Sequence, residues 1–169
     1  MNSNNLKLAA LFIVLVLLQA LIFNHILFLG YATPFLYIYF LIKLPITLNR
    51  NLVIILGFLL GFVIDLFCNT PGLNAAATTF AAFLRYPIER LFFDKEMFEH
   101  LEPKLSTLGT SFIKYTIAII IIHHATLISL EYFSYFNIQT VLLRIILSSL
   151  LTFILILAIE GYPYKKKKV

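Results

Sequence analysis

The fold of this chain is decided by residues 57–65, GFLLGFVID, where two glycines four residues apart are followed by one carboxylate. Residues i, i+4 and i+8 lie on one face of a helix, so Gly57, Gly61 and Asp65 form a stripe. Glycine at this spacing lets a second helix pack closely inside a bilayer. An ionisable group there is costly, so Asp65 should face protein or water and is a candidate functional residue. The alternative is a stripe that only packs helices, with Asp65 shallow enough to be hydrated.

The composition indicates an integral membrane protein. Of the 169 residues, 61% are hydrophobic and only 12% are charged, and the mean hydropathy is +0.95. Soluble domains carry about 25% charged residues. The net charge of +5 does not indicate nucleic-acid binding, because the basic residues lie near predicted helix ends and in a terminal run at 165–168. A nucleic-acid surface would interleave basic and aromatic side chains.

Apolar stretches predict an all-α bundle of six membrane-spanning helices, forming a single transmembrane domain over residues 1–169. A span takes about 20 apolar residues. The predicted spans cover residues 8–29, 32–48, 51–68, 73–86, 105–130 and 138–160. Prolines bracket the second span, and the fourth is rich in small residues that suit the interior of a bundle. Residues 87–104 are predicted as a loop and residues 161–169 as a basic tail.

The positive charges predict the orientation of these spans. With six spans, eleven of the thirteen Lys and Arg residues fall on one side of the membrane, and the links on the other side have none. The positive-inside rule therefore predicts that both termini, the loop 87–104 and the tail 161–169 are cytoplasmic.

Residues that could carry catalysis are scarce. His123 and His124 are adjacent on the fifth predicted span and point about 100° apart, so they cannot bind one metal ion as an i, i+4 pair does. We interpret them as hydrogen-bonded interior residues. The sequence has no recognisable nucleophile–base set, phosphate loop or metal motif. We therefore expect a protein that is not an enzyme and has no cofactor.

Charged residues within the spans predict an ion network near one membrane surface. Asp65 lies about 5 Å from the end of the third span, Arg144 lies about 9 Å into the sixth, and Glu131 ends the fifth. Because unpaired charges in lipid cost several kcal/mol, we predict that Asp65 pairs with Arg144, with Glu131 as a further member. Removing both Asp65 and Arg144 should then harm folding less than the sum of the single changes. Glu160, near the other surface, needs only to snorkel toward water.

The stretch 57–65, continued by PGLNA at 71–75 and AFLRYP at 82–87, resembles the rod shape-determining protein MreD family. That family shows a G-x-x-x-G-x-x-x-D helix, a short turn with glycine, and a small-residue helix ending at a basic boundary with proline. The size and span pattern of the whole chain also match. The pattern positions are Gly57, Gly61, Asp65 and Gly72. Further helix-packing or partner-contact candidates on the fourth span are Ala75, Thr79 and Ala82.

The resemblance implies a non-enzymatic inner-membrane subunit of the bacterial cell-elongation (rod) complex, which acts in cell-shape control and cell-wall organisation. It implies MreC as the direct partner and the actin-like MreB on the cytoplasmic face. A glycosyltransferase and a transpeptidase of peptidoglycan synthesis are the further implied partners, with membrane lipid around the helices. The implied fold is similar to that of the substrate-binding membrane subunits of energy-coupling-factor transporters.

That similarity leaves a second function open, the capture of a substrate for an energy-coupling-factor transporter. Such a subunit needs a polar pocket between its helices. Residues that could line it near the Asp65 surface are Asn24, His25, Asp65, Asn69 and Asn74. Tight binding of a small ligand would favour transport, whereas stable binding of MreC without such a ligand would favour cell elongation.

Overall fold

The computed structural model describes residues 3–28, 30–94, 102–133 and 137–161. These residues are helical or irregular, with one isolated bridge between Phe28 and Ala32. The predicted tail beyond residue 161 and residues 95–101 of the predicted loop lie outside the described residues. The α-helices in chain order are α1 (Ser3–Leu21), α2 (Ile38–Lys43), α3 (Arg50–Cys68), α4 (Leu73–Phe92), α5 (Leu105–Leu108), α6 (Thr110–Glu131) and α7 (Ile138–Gly161), with a 3-10 turn at Phe23–His25.

Four of the described segments are long and apolar enough to cross a membrane: Asn5–His25, Arg50–Cys68, Thr110–Glu131 and Ile138–Gly161. At 1.5 Å per residue, even 18 residues of helix cover about 27 Å, close to the hydrocarbon thickness of about 30 Å. Large apolar side chains on these segments are exposed, as a lipid-facing surface requires. For the described residues the prediction of an all-helical fold is confirmed, and the four candidate spans are consistent with the predicted multi-pass membrane protein.

The second predicted span is not a continuous helix. Within residues 32–48 only α2 is helical, and it is six residues long. Pro34 and Pro45 limit it, because proline cannot donate a backbone hydrogen bond and disfavours helix in the residue before it. The segment is nevertheless buried, with Tyr37 and Leu41 both 0% exposed. Irregular backbone at membrane depth is tolerated where protein surrounds it.

Hydroxyl groups on α7 replace part of the missing helical hydrogen bonding of this segment. The backbone N–H of Thr33 donates to the Ser148 hydroxyl (3.2 Å), and that of Phe35 donates to the Thr152 hydroxyl (3.0 Å). These contacts satisfy backbone groups that would otherwise be buried without a partner.

Helix α4 lies between α3 and α6 and is longer than predicted. It continues through Pro87 to Phe92, so the helix extends six residues beyond the predicted end of the fourth span at residue 86. Proline removes one helical hydrogen bond, but an ion pair between Arg85 and Glu89 (2.8 Å) connects the turns on either side of it. Most of the small side chains of α4 are buried, as expected for a helix in the interior of a bundle.

The fifth predicted span is divided at Gly109, whose φ of +52° ends α5 before α6 begins. The helices then run in alternating directions. We call the end where α3 and α6 terminate and α4 and α7 begin the Asp65 end. The opposite end, which holds the start of α3 and the last turns of α4, is the Arg85 end.

Candidate functional site

Asp65, near the end of α3, caps the first turn of α4. Its Oδ1 accepts hydrogen bonds from the Thr70 hydroxyl (2.8 Å), the Asn74 backbone N–H (3.0 Å) and the Asn74 side-chain amide (2.9 Å), and its Oδ2 accepts from the Ala75 backbone N–H (2.9 Å). Backbone N–H groups in the first turn have no partner within the helix, and a negative charge there is stabilised by the helix dipole. Asp65 is 5% exposed, and these contacts explain how a carboxylate is held there.

The two glycines of α3 allow α4 to approach to backbone contact. A Cβ atom on Gly57 would lie 2.7 Å from the Cβ of Ala82, and one on Gly61 would overlap the Thr78 hydroxyl and the α4 backbone. A side chain at Gly61 would therefore push α4 away from α3. The same displacement would separate Asp65 from the N–H groups that it binds, so helix packing and capping depend on one another.

The remaining small candidates lie at the start of α4 and along it. Gly72 has a φ of +82° and no side chain, so it cannot cap α4 itself. The Thr79 hydroxyl donates to the Ala75 carbonyl (2.6 Å). Gly72, Ala75 and Thr79 line an apolar groove of about 520 Å³ between α3 and α4. The sides of this groove include the exposed rings of Phe58 and Phe80.

A buried chain of hydrogen bonds runs from the Asp65 cap into the bundle. The Tyr37 hydroxyl donates to Asn74 Oδ1 (2.7 Å), and it lies 2.8 Å from His123 Nε2. Asn74 thus uses its amide nitrogen toward Asp65 and its amide oxygen toward Tyr37. The irregular segment containing Tyr37 is thereby connected to α3, α4 and α6 through polar contacts, which are more directional than apolar packing.

The adjacent histidines are interior hydrogen-bonded residues, which confirms the interpretation of the sequence. Both are 0% exposed. His123 contacts Tyr37, while His124 uses Nδ1 toward the Ile120 carbonyl (2.8 Å) and Nε2 toward the Thr152 hydroxyl (3.1 Å). Within the described ranges, no group of three or more His, Cys, Asp or Glu side chains is arranged to hold a metal ion.

Arg144 is not paired with Asp65, so the predicted network needs correction. The Asp65 carboxylate is occupied by α4 and Thr70, and the described residues contain no ion pair between Asp65 and Arg144. Arg144 instead lies over the rings of Tyr31 (5.7 Å) and Tyr132 (4.8 Å). Backbone N–H groups at the start of α4 supply the stabilisation that was predicted to come from Arg144. The prediction had considered only charged side chains as partners of Asp65.

A polar cavity of about 160 Å³ lies at the Asp65 end and includes both Arg144 and Glu131. Of the five residues predicted to line a pocket here, Asn24 and Asn74 do so. Asp65 lies behind Asn74, which it holds through hydrogen bonds. Other side chains lining the cavity with hydroxyl groups are Tyr31, Thr33, Thr70, Tyr132 and Ser148.

A second buried charge cluster lies at the Arg85 end. Arg85 is 2% exposed; it pairs with Glu89, donates from Nε to the Tyr115 hydroxyl (2.8 Å) and donates from Nη2 to the Leu44 carbonyl. Glu89 lies three residues beyond the predicted fourth span.

Glu160 also has specific partners rather than only snorkelling to water. It forms an ion pair with Lys43 (2.9 Å) and accepts hydrogen bonds from the Tyr39 hydroxyl (2.5 Å) and the Leu105 backbone N–H (3.1 Å). These contacts join the last turn of α7 to α2 and to the start of α5. The cluster therefore closes the Arg85 end of the bundle around the irregular second segment.

No family model, curated protein or solved structure matches this chain. Its function is therefore inferred from its own contacts, together with the resemblance of residues 57–87 described above.

The sequence pattern places Arg85 at the basic boundary of the small-residue helix, and it does not assign Glu89 to a site. One signal was available, since Arg85 and Glu89 are four residues apart and such pairs meet on a helix. It was missed because Pro87 lies between them and was interpreted as the end of the helix. Tyr115 and Leu44 carry no comparable local signal, because only the packing of α2 and α6 brings them to Arg85.

Proposed function

We propose that this chain is a non-enzymatic subunit of the bacterial cell-elongation (rod) complex in the inner membrane. It binds MreC through its helices and connects MreC and the peptidoglycan glycosyltransferase and transpeptidase with MreB. The proposal draws on the resemblance of residues 57–87 to the MreD family. It also fits a molecule in which most polar groups bond to one another, since such a molecule offers helix surfaces rather than reactive groups.

The observation that carries the proposal is the apolar groove between α3 and α4. Small residues form part of its lining, including Ala75, Ala76 and Thr79, and aromatic rings stand beside them. Small side chains let a further membrane helix approach closely, and the rings provide contact area on either side of it. Because the opposite side of α4 packs on α6, the groove is the side of the α3–α4 pair that is free to accept a partner helix.

The proposed topology has six membrane segments with both termini in the cytoplasm. In addition to the four candidate spans, it counts α4 and the buried segment 32–48 as crossing the bilayer within the protein. The charges of Lys43, Arg50 and Arg90 lie toward the Arg85 end, which supports a cytoplasmic Arg85 end under the positive-inside rule. The Asp65 end would then face the periplasm.

The test is affinity purification of the tagged full-length protein from native membranes in mild detergent, followed by mass spectrometry. Ala76→Leu places a larger side chain in the groove, and Ala10→Leu is the matched control at an exposed position of α1. We expect to recover MreC and the wall-synthesis enzymes with the wild type and with Ala10→Leu. Much less of these proteins should be recovered with Ala76→Leu. Recovery of paired ATPase subunits without MreC would overturn the proposal.

Substrate capture for an energy-coupling-factor transporter is the second candidate, and the polar cavity at the Asp65 end favours it. Its volume of about 160 Å³ is below the range of about 300–1,000 Å³ that is usual for small-molecule pockets. We therefore rank capture second. Tight binding of a vitamin-sized ligand by the purified protein, together with recovery of ATPase subunits, would reverse this order.

A further inference from the structure

The guanidinium group of Arg144 has few acceptors for its five N–H donors. Nη1 lies 3.5 Å from the Tyr31 carbonyl, at the limit of a hydrogen bond, and Nε has no hydrogen-bond partner among the described residues. The rings of Tyr31 and Tyr132 hold the group in position without accepting its N–H bonds. A buried donor that lacks an acceptor is costly, so this geometry favours an anionic oxygen at Arg144.

Glu131 lines the same cavity, but its carboxylate does not accept a hydrogen bond from the Arg144 guanidinium. The two side chains are close enough to interact electrostatically, yet no ion pair joins them in the part of the chain that the structure describes. A purely anionic ligand at Arg144 would therefore be opposed by Glu131. A group with a negative and a positive end would place one charge against each residue.

The surroundings of this charge pair match a small polar headgroup. The lining includes the hydroxyls of Thr33, Thr70 and Ser148, and the volume is about 160 Å³. The cavity lies where α6 ends and α7 begins, and tyrosines such as Tyr31 and Tyr132 commonly lie at headgroup depth. Basic pockets between membrane helices bind anionic headgroups; a pocket that contains both an arginine and a glutamate suits a zwitterionic headgroup instead.

We propose that this cavity binds the headgroup of an ethanolamine phospholipid, with the phosphate at the Arg144 guanidinium and the ammonium at the Glu131 carboxylate. Arginine suits the phosphate because its planar group can donate two parallel hydrogen bonds. The inference requires only that the Asp65 end reaches the headgroup layer. It goes beyond the proposed role in cell elongation and does not depend on the identity of partner proteins.

The experiment measures lipid binding to the delipidated full-length protein by native mass spectrometry. The probes are dioctanoyl phosphatidylethanolamine, dioctanoyl phosphatidylglycerol and dioctanoylglycerol, which share their acyl chains. Arg144→Gln removes the charge, Arg144→Lys retains it without the planar fork, and Arg90→Gln is the matched control. Arg90 is likewise stacked on a tyrosine, with its guanidinium 4.5 Å from the Tyr86 ring centre, but it does not line the cavity.

We expect the wild type to bind phosphatidylethanolamine more tightly than both other lipids. Arg144→Gln should weaken that binding by about 10- to 100-fold, the loss of a charge-assisted hydrogen bond, while Arg90→Gln should not. Glu131→Gln should remove the preference over phosphatidylglycerol. Equal binding of the three lipids by the wild type would overturn the proposal without the use of any variant, as would unchanged binding by folded Arg144→Gln and Arg144→Lys.

Free phosphoethanolamine carries the same pair of charges, and it distinguishes a lipid from a soluble source. If the cavity holds a lipid, an equal concentration of free phosphoethanolamine should leave phosphatidylethanolamine bound, because the soluble molecule lacks acyl chains that pack beside the helices. Displacement at an equal concentration would overturn the assignment to a lipid.

Discussion

Replacing Asp65 with asparagine tests whether this carboxylate is stabilised by the start of α4. Asparagine has nearly the same size as aspartate, so the contact between α3 and α4 should be preserved. It has one oxygen instead of two, however, and it carries no charge. The four hydrogen bonds that Asp65 accepts, two of them from backbone N–H groups, cannot all be retained.

The expected cost follows from these contacts. Whichever way the amide is oriented, its NH₂ group faces at least one N–H donor of α4. One buried donor left without an acceptor costs about 1–3 kcal/mol. Loss of the negative charge at the helix N-terminus removes a further ~0.3–1 kcal/mol. We therefore expect Asp65→Asn to lower the free energy of unfolding by about 2–4 kcal/mol.

The assay is reversible unfolding of the full-length protein in mixed micelles, with sodium dodecyl sulfate as the denaturant and helix content followed by circular dichroism. Asp94→Asn is the matched control, since it makes the same aspartate-to-asparagine change at an exposed position. Its effect should lie within about 0.5 kcal/mol, the usual range for surface substitutions.

A double-mutant cycle with Arg144→Gln distinguishes the cap from the ion pair that the sequence predicted. Asp65 and Arg144 share no hydrogen-bond partner, so their effects should add to within about 0.5 kcal/mol. A cost below about 1 kcal/mol for Asp65→Asn would refute the capping role. A coupling energy above about 1 kcal/mol would restore the predicted pair.

Three further predictions can be tested in the same assay. Gly61→Ala should lower the free energy of unfolding by about 1–3 kcal/mol because a methyl group there overlaps α4, whereas Gly161→Ala, with no neighbour near its Cβ position, should have little effect; equal costs would contradict the contact. Tyr37→Phe should cost about 1–3 kcal/mol by leaving Asn74 Oδ1 and His123 Nε2 without their shared hydroxyl; no loss would argue against the buried chain. Glu89→Gln should cost about 3–5 kcal/mol because it leaves the buried Arg85 guanidinium without its carboxylate partner; no loss would contradict the buried ion pair.

The close helix contact at the Asp65 end was predictable because it depends on local spacing. Gly57, Gly61 and Asp65 fall on one face whatever α3 packs against, since the helical repeat alone determines this. Small residues in the next segment favoured close contact with a neighbouring helix. The groove beside Ala75 and Thr79 could not be outlined in the same way, since it depends on how far α3 and α4 diverge.

The partners of the charged groups were not predictable from their depth along the helices. Asp65 and Arg144 have similar depths, yet depth does not specify rotation about a helix axis or the position of a neighbouring helix terminus. Glu160 was predicted to snorkel toward water and Arg85 to belong to a basic helix boundary, although each is held by several specific contacts. The buried segment 32–48 similarly needed the hydroxyls of α7, which lie more than 100 positions further along the chain.

The sequence by itself determined the membrane class, the long apolar helices and the α3 stripe, because hydropathy and helical periodicity are properties of neighbouring residues. The tertiary structure decided which groups satisfy the buried charges, how the proline-limited segment remains inside the bundle, and where the polar cavity forms. Those outcomes depend on hydrogen bonds and close contacts between elements far apart in the chain. Their geometry exists only after the helices have packed.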